Sequence, residues 1–473
     1  MAARVDATRK KMKSMPDQHT AVSESDAQHQ RMMHTPVPKL VTSMAIPATV
    51  GILITVIYNT ADTYFVSQIN KSASAAVGAV YAIMSIIQAV GFGLGMGAGS
   101  LISRKLGAKE NKAAYVYASS AFAAAAAFGV LLMVAGLLTL EPFLRLLGCT
   151  ETMMPYAIPY AKYILWAAPI NCATFVLNIT LRSEGHTKFA TASVSAGGIL
   201  NVILDPILIF NMDLGTGGAA LATMISQVLS FCILLSFFLS GRSIVKLRPR
   251  YVSRQFRDYQ MIVTTGLPTI CRQGLGSLAA AVLNIQAIGY GGDAAGAAIT
   301  ISNKVYILVR NLCMGIGQGF QPVAGYNYGA GNKRRAWNAF MFSVKTGTVL
   351  CVVCAVIAAV FAEPIMWWFC DDAEVARIGV QTIYMVSAVM PFLAFSTYVN
   401  QLFQCLGFKG QATFLASCRQ GVFFIPAVLL LPLLFDCLGV QAAQPAADLC
   451  TFFVCIPFAV LFYRKHFCPY RSK

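Results

Sequence analysis

The sequence predicts an all-α polytopic membrane protein, with twelve transmembrane helices in two pseudo-symmetric six-helix bundles around a central cleft. The chain of 473 residues is 57% hydrophobic and only 12% charged, with a mean hydropathy of +0.64. Such a chain is too apolar for a soluble globular protein, and its apolar runs are long enough to cross a bilayer. Each run is predicted to be helical, because a lone strand would leave backbone polar groups unpaired in lipid.

The apolar runs and the breaks between them give the predicted spans. They cover residues 40–66, 74–103, 113–140, 156–181, 189–211, 217–240, 258–289, 295–325, 336–362, 377–405, 411–435 and 440–463. The predicted domains are a disordered cytoplasmic tail, an N-terminal lobe, a basic cytoplasmic linker, a C-terminal lobe and a second cytoplasmic tail. Their residues are 1–39, 40–240, 241–257, 258–463 and 464–473.

An internal repeat divides the spans into two sets of six. Pro47 matches Pro268 at an offset of 221 residues, and Gly185 matches Gly407 at an offset of 222. The dipeptide Glu-Pro recurs at the same offset of 222. Repetition over so long a period indicates a duplicated unit. Because six is even, the two units have the same polarity and can be related by an axis along the membrane normal.

Basic residues determine the predicted orientation. Of 36 Lys and Arg residues, 27 fall in the tails and in alternate connections, whereas the other connections hold only Lys71 and Arg145. This asymmetry predicts a plasma-membrane protein with both termini in the cytoplasm. The net charge of +17 therefore reflects orientation, and no nucleic-acid motif accompanies it. The first 39 residues contain no apolar core of the kind found in a cleavable signal peptide.

The stretch NVILDP places ionisable and polar groups inside an apolar run. An intramembrane carboxylate such as Asp205 is costly unless it is paired or functional. Asn201 lies four residues earlier and so shares its helix face. Pro206 removes a backbone donor and is expected to kink the helix beside the carboxylate.

Depth in the membrane groups Asp205 with other polar residues. Counted along the predicted helices, Asp62, Asp205 and Thr223 each lie ~8 to 9 Å below the outer surface. Tyr58 stands one helical turn before Asp62. Two carboxylates, an amide and a hydroxyl form an oxygen-only set that suits a hard cation such as sodium, or coupled protons. The alternative is structural: Asp62 caps its helix and Asp205 hydrogen-bonds to a neighbouring helix.

The intramembrane charges of the second half have the opposite sign. Its spans contain basic residues that include Arg272, Lys304, Arg310, Lys345 and Arg419, and span 12 contains the carboxylate Asp448. Coupling chemistry is therefore predicted in the first half. Several of the basic residues are expected to snorkel or to pair structurally, for instance Arg419 with Asp448.

Enzyme chemistry has no support in the sequence. The glycine run from Gly91 to Gly99 lacks the Lys-Ser/Thr ending of a phosphate loop and lies in an apolar span, which favours close helix packing. Nucleotide motifs, metal-binding clusters and nucleophile elbows are also missing from the sequence. The protein is predicted not to be an enzyme and to use an ion gradient if it pumps, with sodium or a proton as the coupling ion and no cofactor.

Several motifs resemble the multidrug and toxic compound extrusion (MATE) family, closest to its DinF-like branch. They are MGIGQGFQPVAGYNYGAGN from Met314 to Asn332, LPT at Leu267 and YNTADTYFVS at Tyr58. The resemblance implies a secondary active antiporter that exports organic, cationic or amphipathic compounds by alternating access. It also implies a cation site formed by Tyr58, Asp62, Asn201, Asp205 and Thr223. The family often has Gly where this chain has Ser67 and Gln68, which leaves the conformation of the first outer loop open.

The sequence says less about binding partners and about the residues that contact the substrate. We expect a monomer in the lipid bilayer that binds small organic molecules and no nucleic acid. The suggested substrate-cleft residues are Met84, Phe175, Gln273, Asn284 and Gln286, although for each of them taken singly packing is the favoured interpretation. Within the transporter class, a flippase for a lipid-linked or polysaccharide precursor is the main alternative. A non-transporting receptor or a channel is the alternative from another class.

Overall fold

The computed structural model of the chain describes residues 18–467, with side chains described from residue 26 onward. Within that range the structure is helical and contains no strand. An N-terminal helix, Gln18–His34, precedes the transmembrane helices. Those of the first lobe are α1 Val37–Ser67, α2 Lys71–Gly107, α3 Asn111–Leu138, α4 Met154–Glu184, α5 Thr187–Pro206 and α6 Gly215–Leu239.

The second lobe contains two helical stretches that each hold two transmembrane helices. Phe256–Gly329 breaks at Gly292 (φ 63°, ψ −164°), giving α7 (256–291) and α8 (293–329). The last stretch, from Lys409 to Phe467, breaks at Asp436 (φ 49°, ψ −133°), giving α11 (409–435) and α12 (437–467). Between them lie α9 Lys333–Val360 and α10 Ala373–Leu406.

Both breaks reverse the direction of the chain. A methyl group built at Gly439 would lie 2.3 Å from the carbonyl oxygen of Leu431. In a continuous helix these two positions would be about 12 Å apart. Among the described residues, nine helices are long and apolar enough to span a membrane. This count takes the last stretch as one helix and does not include Phe256–Gly329. With both stretches divided at their breaks, the twelve predicted helices are confirmed.

The repeat is visible in helix ends as well as in sequence. Gly185 (φ 96°) ends α4 and Gly407 (φ 90°) ends α10, each in the left-handed conformation that glycine adopts without steric cost. The repeated Glu-Pro lies in the first turn of two short helices, Leu140–Leu146 and Ala362–Phe369. Proline and an acidic side chain both favour a helix start.

The predicted disordered tail is wrong for residues 18–34, which form the N-terminal helix. Met32 is fully buried, and Gln28 donates to the carbonyl oxygen of Glu184 in the first lobe at 2.8 Å. Asn327 in the second lobe donates to the carbonyl oxygen of Met32. The helix forms because it can bury apolar surface against both lobes, which the polar composition of the tail did not indicate. Residues 1–17 and 468–473 lie outside the described part.

The linker also packs against the first lobe near Glu184. This fully buried carboxylate accepts hydrogen bonds from the Ser243 hydroxyl and from the backbone amides of Ile244 and Val245. The end of the bundle that carries the linker and the N-terminal helix is called the tail side below.

The two lobes meet through small residues in the halves of the helices nearest the tail side. A methyl group at Gly97 of α2 would lie 2.1 Å from the carbonyl oxygen of Ile262 in α7. Gly315 of α8 similarly faces Thr49 of α1 at 2.2 Å. These distances leave room for hydrogen only, so backbones touch directly. Every hydrogen bond between the lobes within residues 26–467 lies on this side, among them those from Arg104 to Leu406 and from Arg182 to Gln318.

The glycine run of α2 acts in packing, as predicted. Gly91, Gly95 and Gly99 face α4, where added methyl groups would lie 2.6 to 2.8 Å from its side chains. The alternate Gly93 and Gly97 face α7. The run therefore allows α2 to approach two helices at once.

Candidate functional site

Helices α5 and α6 bring Asp205, Asn201 and Thr223 together. The Asn201 side-chain amide donates to Oδ1 of Asp205 at 3.2 Å and to Oγ1 of Thr223 at 3.3 Å. Asp205 is fully buried and Asn201 is 2% exposed. The spacing of four residues places Asn201 and Asp205 on one face, and that face packs against α6.

Helix α1 brings the second carboxylate to this site. The Tyr160 hydroxyl, on α4, donates to Oδ2 of Asp62 at 3.4 Å. Asp62 lies close enough to Asp205 to act on it electrostatically. Tyr58 packs against Gly198 of α5, where an added methyl group would lie 2.8 Å from the tyrosine ring, and it faces Gln227 of α6.

Several buried oxygens of this site have no hydrogen-bond partner. Oδ1 of Asp62, Oδ2 of Asp205 and Oδ1 of Asn201 are all buried and unpartnered. A buried polar atom without a partner costs about 1–3 kcal/mol, and more when it carries charge. Three such atoms from helices α1 and α5 indicate a place for a cation or for protons.

The helix geometry changes directly after Asp205. Regular α-helix ends at Pro206 and continues as a π-helical turn, Ile207–Asn211. Proline cannot donate a backbone hydrogen bond, and π-helical turns frequently lie at functional sites. The predicted distortion beside the carboxylate is therefore present, as a widened turn.

The structure thus collects the five predicted coupling residues in one region where α1, α5 and α6 meet. Tyr160 was missed, although it is 1% exposed and donates directly to Asp62. No sequence signal identifies it, because it lies on α4 in the motif-free segment MPYAIPYAKY. Its position depends on how α4 packs against α1 and α2.

The suggested cleft residues do not form one group. Met84 contacts the Tyr160 hydroxyl through its sulfur at 3.9 Å and so adjoins the carboxylate site. Phe175 packs edge-on against Phe92 at 5.1 Å between ring centroids, within the interface of α2 and α4. The remaining three lie on α7 in the second lobe: Gln273, Asn284 and Gln286.

A polar cluster in the second lobe surrounds Asp448. The predicted pairing is confirmed: Nε of Arg419 lies 2.8 Å from Oδ1 of Asp448. Tyr306 donates to the other carboxylate oxygen at 2.6 Å, and Gln444 donates to Oδ1 at 3.1 Å. The Arg419 guanidinium also lies over the Tyr306 ring, 5.6 Å from its centroid. Both oxygens of Asp448 are therefore satisfied, unlike those of Asp62 and Asp205.

Comparisons with known proteins agree with this architecture. The MatE family model matches residues 47–207 and again residues 268–429, two segments offset like the internal repeat. The multidrug export protein MepA of Staphylococcus saprophyticus is 27% identical over 430 residues, covering 90% of this chain and 92% of that protein. MepA of Staphylococcus aureus is 26% identical over 409 residues, covering 86% and 90%.

Solved structures share the fold. An outward-facing multidrug resistance MATE family transporter superposes with a TM-score of 0.87 at 24% identity, covering 91% of this chain and 97% of that one. A transporter of the MOP superfamily from Pyrococcus furiosus, described as having a binding pocket of reverse polarity, gives a TM-score of 0.86 at 24% identity, with coverages of 92% and 97%. Since the family model matches more than half of the chain, in both lobes, this multi-pass membrane protein belongs to the MATE family.

Proposed function

We propose that the protein is a secondary active exporter of organic, cationic or amphipathic compounds, driven by sodium ions or protons at the Asp62–Asp205 site. The observation that carries this proposal is the set of buried, unpartnered oxygens on Asp62, Asn201 and Asp205. All are hard oxygen donors, which suit a hard cation or a shared proton. The curated relatives named as multidrug export proteins support the direction and the kind of cargo.

The orientation follows from charge. By sequence, 27 of the 36 basic residues belong to the tails and to the connections on one side of the predicted spans, the side of the basic linker. That side is therefore assigned to the cytoplasm, and the protein to the plasma membrane. The interlobe contacts lie on the same side, through pairs such as Gly97 with Ile262 and Gly315 with Thr49. This arrangement fits an outward-facing state, in which a cation reaches the carboxylates from outside.

Coupling would act through the helices that supply the oxygens. Asp62 lies on α1, whereas Asp205 and Thr223 lie on α5 and α6. A bound cation or proton removes the repulsion between the two carboxylates and lets these helices draw together. If the two states of the first lobe bind the organic compound with different affinity, uptake of the ion drives release of the compound.

The decisive experiment is export of ethidium from proteoliposomes under an imposed sodium or proton gradient. We expect gradient-driven export by Asp205→Asn and Asp62→Asn to fall by about 5- to 150-fold, the usual range of coupling between two ligands. The matched control is Asp213→Asn, which changes an exposed loop carboxylate at φ 53°, a conformation that Asn also tolerates. Full activity of both site variants would refute the proposal.

A flippase for a lipid-linked or polysaccharide precursor is the second candidate. It is favoured by the excess of arginine over carboxylate in the second lobe, since guanidinium groups bind phosphates well. Scrambling of a fluorescent lipid phosphate in the same proteoliposomes separates the two functions. Lipid transfer without gradient-driven ethidium export would select the flippase.

A further inference from the structure

The second lobe holds more buried positive charge than it can neutralise. Arg272, Arg310 and Arg419 lie within electrostatic reach of one another. One carboxylate, Asp448, accompanies them, and Arg419, Tyr306 and Gln444 already occupy both its oxygens. The cluster therefore has a net charge of +2 in the middle of the membrane-spanning helices.

Two of these arginines have no anionic partner. Among residues 26–467, the ion pairs include Arg419 with Asp448 but none formed by Arg272 or Arg310. Nε of Arg272 is buried without any hydrogen-bond partner. An unpaired cation at this depth costs several kcal/mol, and such residues are by default candidates for function.

Both arginines lie near the middle of membrane-spanning helices and are only partly buried. Arg272 is close to the middle of α7 and Arg310 close to the middle of α8, and both side chains are half-buried. Arg310 lies within electrostatic reach of Tyr81, a residue of α2 in the opposite lobe whose side chain is 58% exposed. Tyr81 is also within electrostatic reach of Tyr58 of the carboxylate site. Tyr81 of the first lobe is therefore within electrostatic reach of both the arginine cluster and the carboxylate site.

We propose that Arg272 and Arg310 bind an anionic group of the transported compound, a carboxylate or a phosphate, so that amphipathic compounds carrying such a group are the favoured substrates. Guanidinium groups offer paired donors that match the geometry of these anions. Arg419 is held by Asp448 and Tyr306, so its charge attracts the anion from a fixed position. This inference rests on the proposed export function, because it specifies the cargo of the same transporter.

The test compares two xanthene dyes that differ in one group. Rhodamine 110 carries a free carboxylate, and rhodamine 123 is its methyl ester. Binding to the purified full-length protein in detergent is followed by fluorescence anisotropy. We expect the wild type to bind the free acid about tenfold more tightly than the ester, and Arg272→Gln or Arg310→Gln to abolish that preference. Affinity for the ester should change by less than about twofold. Equal losses for both dyes, or no loss for the acid, would overturn the proposal.

Lys345→Gln is the matched control, because it removes a positive charge from an exposed position of the same lobe outside the cluster. If a glutamine variant does not elute as a single peak, Arg272→Lys takes its place. Lysine keeps the charge but loses the planar pair of donors, so the preference for the acid should fall to about threefold. An unchanged preference in that variant would count against the proposal.

A lipid headgroup offers the same phosphate chemistry and is tested separately. Phosphatidylglycerol is added in mixed micelles to the wild type with rhodamine 110 bound. Displacement in the wild type at low lipid fractions would assign the cluster to a lipid and overturn the proposal, whereas no displacement supports it. Failure here leaves the export proposal intact, because ethidium has no anionic group and its export depends on Asp62 and Asp205.

Discussion

The two lobes have the same order of six transmembrane helices but differ in their buried charges. In the first lobe, carboxylates outnumber cations around Asp62 and Asp205, and each of these two carboxylates keeps one buried oxygen without a partner. In the second lobe, arginines outnumber carboxylates, and Asp448 is saturated by its neighbours. The first lobe thus keeps acceptor oxygens without partners, and the second keeps positive charge without a carboxylate partner.

The repeat shows how this difference arises. At offsets of 220 to 222, the counterparts of Asp205 are Ile425, Pro426 and Ala427, none of which is charged. The counterparts of Arg272 are likewise uncharged: Val50, Gly51 and Ile52. Positions that fix the scaffold, such as Gly185 and Gly407, are the same in both units. Folding requires the same turns and close packing in both halves of the chain. The buried charges of the two lobes are not constrained in this way and can differ.

The largest expected contrast is in stability. Asp448→Asn leaves Arg419 as an uncompensated buried cation and should lower the free energy of unfolding by about 3–5 kcal/mol. Asp205→Asn should leave the free energy of unfolding unchanged or raise it, because the substitution removes a buried charge with one unpartnered oxygen. Thermal unfolding in detergent measures both, with Asp213→Asn as the control. A loss for Asp205→Asn as large as that for Asp448→Asn would show that both carboxylates are structural.

The next prediction concerns the interface where the lobes meet. Gly97→Ala places a methyl group 2.1 Å from the carbonyl oxygen of Ile262, so this overpacking should cost about 1–3 kcal/mol. Hydrogen–deuterium exchange should quicken in residues 93–107 and 262–270. Gly274→Ala is the control, since nothing lies within 4 Å of a methyl group there. Unchanged exchange in the Gly97 variant would mean that this contact does not hold the lobes together.

A smaller effect is expected when the Thr223 hydroxyl of the carboxylate site is removed. Thr223→Val removes one oxygen donor that is hydrogen-bonded to Asn201, so affinity for the coupling cation should fall about two- to tenfold. Isothermal titration calorimetry with sodium would measure this change in affinity. For protons, the same change would be measured from sodium titrations repeated at several pH values. Thr382→Val is the matched control, because that hydroxyl donates within its own helix in the second lobe. An equal effect in both variants would remove Thr223 from the site.

The smallest effect concerns the N-terminal helix that bridges the lobes. Burial, followed by the nearby positive charge of Lys109, lowers the pKa of His29 below its ordinary value; Asp26 opposes the shift and His34 adds to it. The packed state therefore favours the neutral ring, which lies 2.8 Å from the Tyr326 hydroxyl. Docking of the helix should be complete above pH about 6.5 and weaken as the pH falls through the lowered pKa.

Exchange of the amides of residues 26–34 between pH 5 and 8 measures that docking, after correction for intrinsic rates. His29→Gln should remove the added pH dependence while keeping a polar side chain. Docking that strengthens as the pH falls would contradict the assignment.

Much of the fold could be predicted from residues alone. The spans 258–289 and 295–325 correspond to α7 and α8, although the chain between them remains helical up to Gly292. The family resemblance and the depth count together selected Asp62, Asn201, Asp205 and Thr223, which the structure brings into one region. Tyr160 and the docked N-terminal helix were not predicted, because both depend on packing between segments distant in sequence.

The sequence by itself determined the number of helices, the duplication, the charge asymmetry between the two sides and the carboxylate pair. Each of these follows from local properties: apolar length, periodicity, and the cost of a charge in lipid. Only the tertiary structure decided which buried oxygens and cations remain without a partner. The pairing of Asp448 with Arg419 was predicted, but only the structure shows that Tyr306 completes its partners while Asp205 keeps an unpartnered oxygen. That difference depends on which helices pack side by side, and packing is a property of the whole fold.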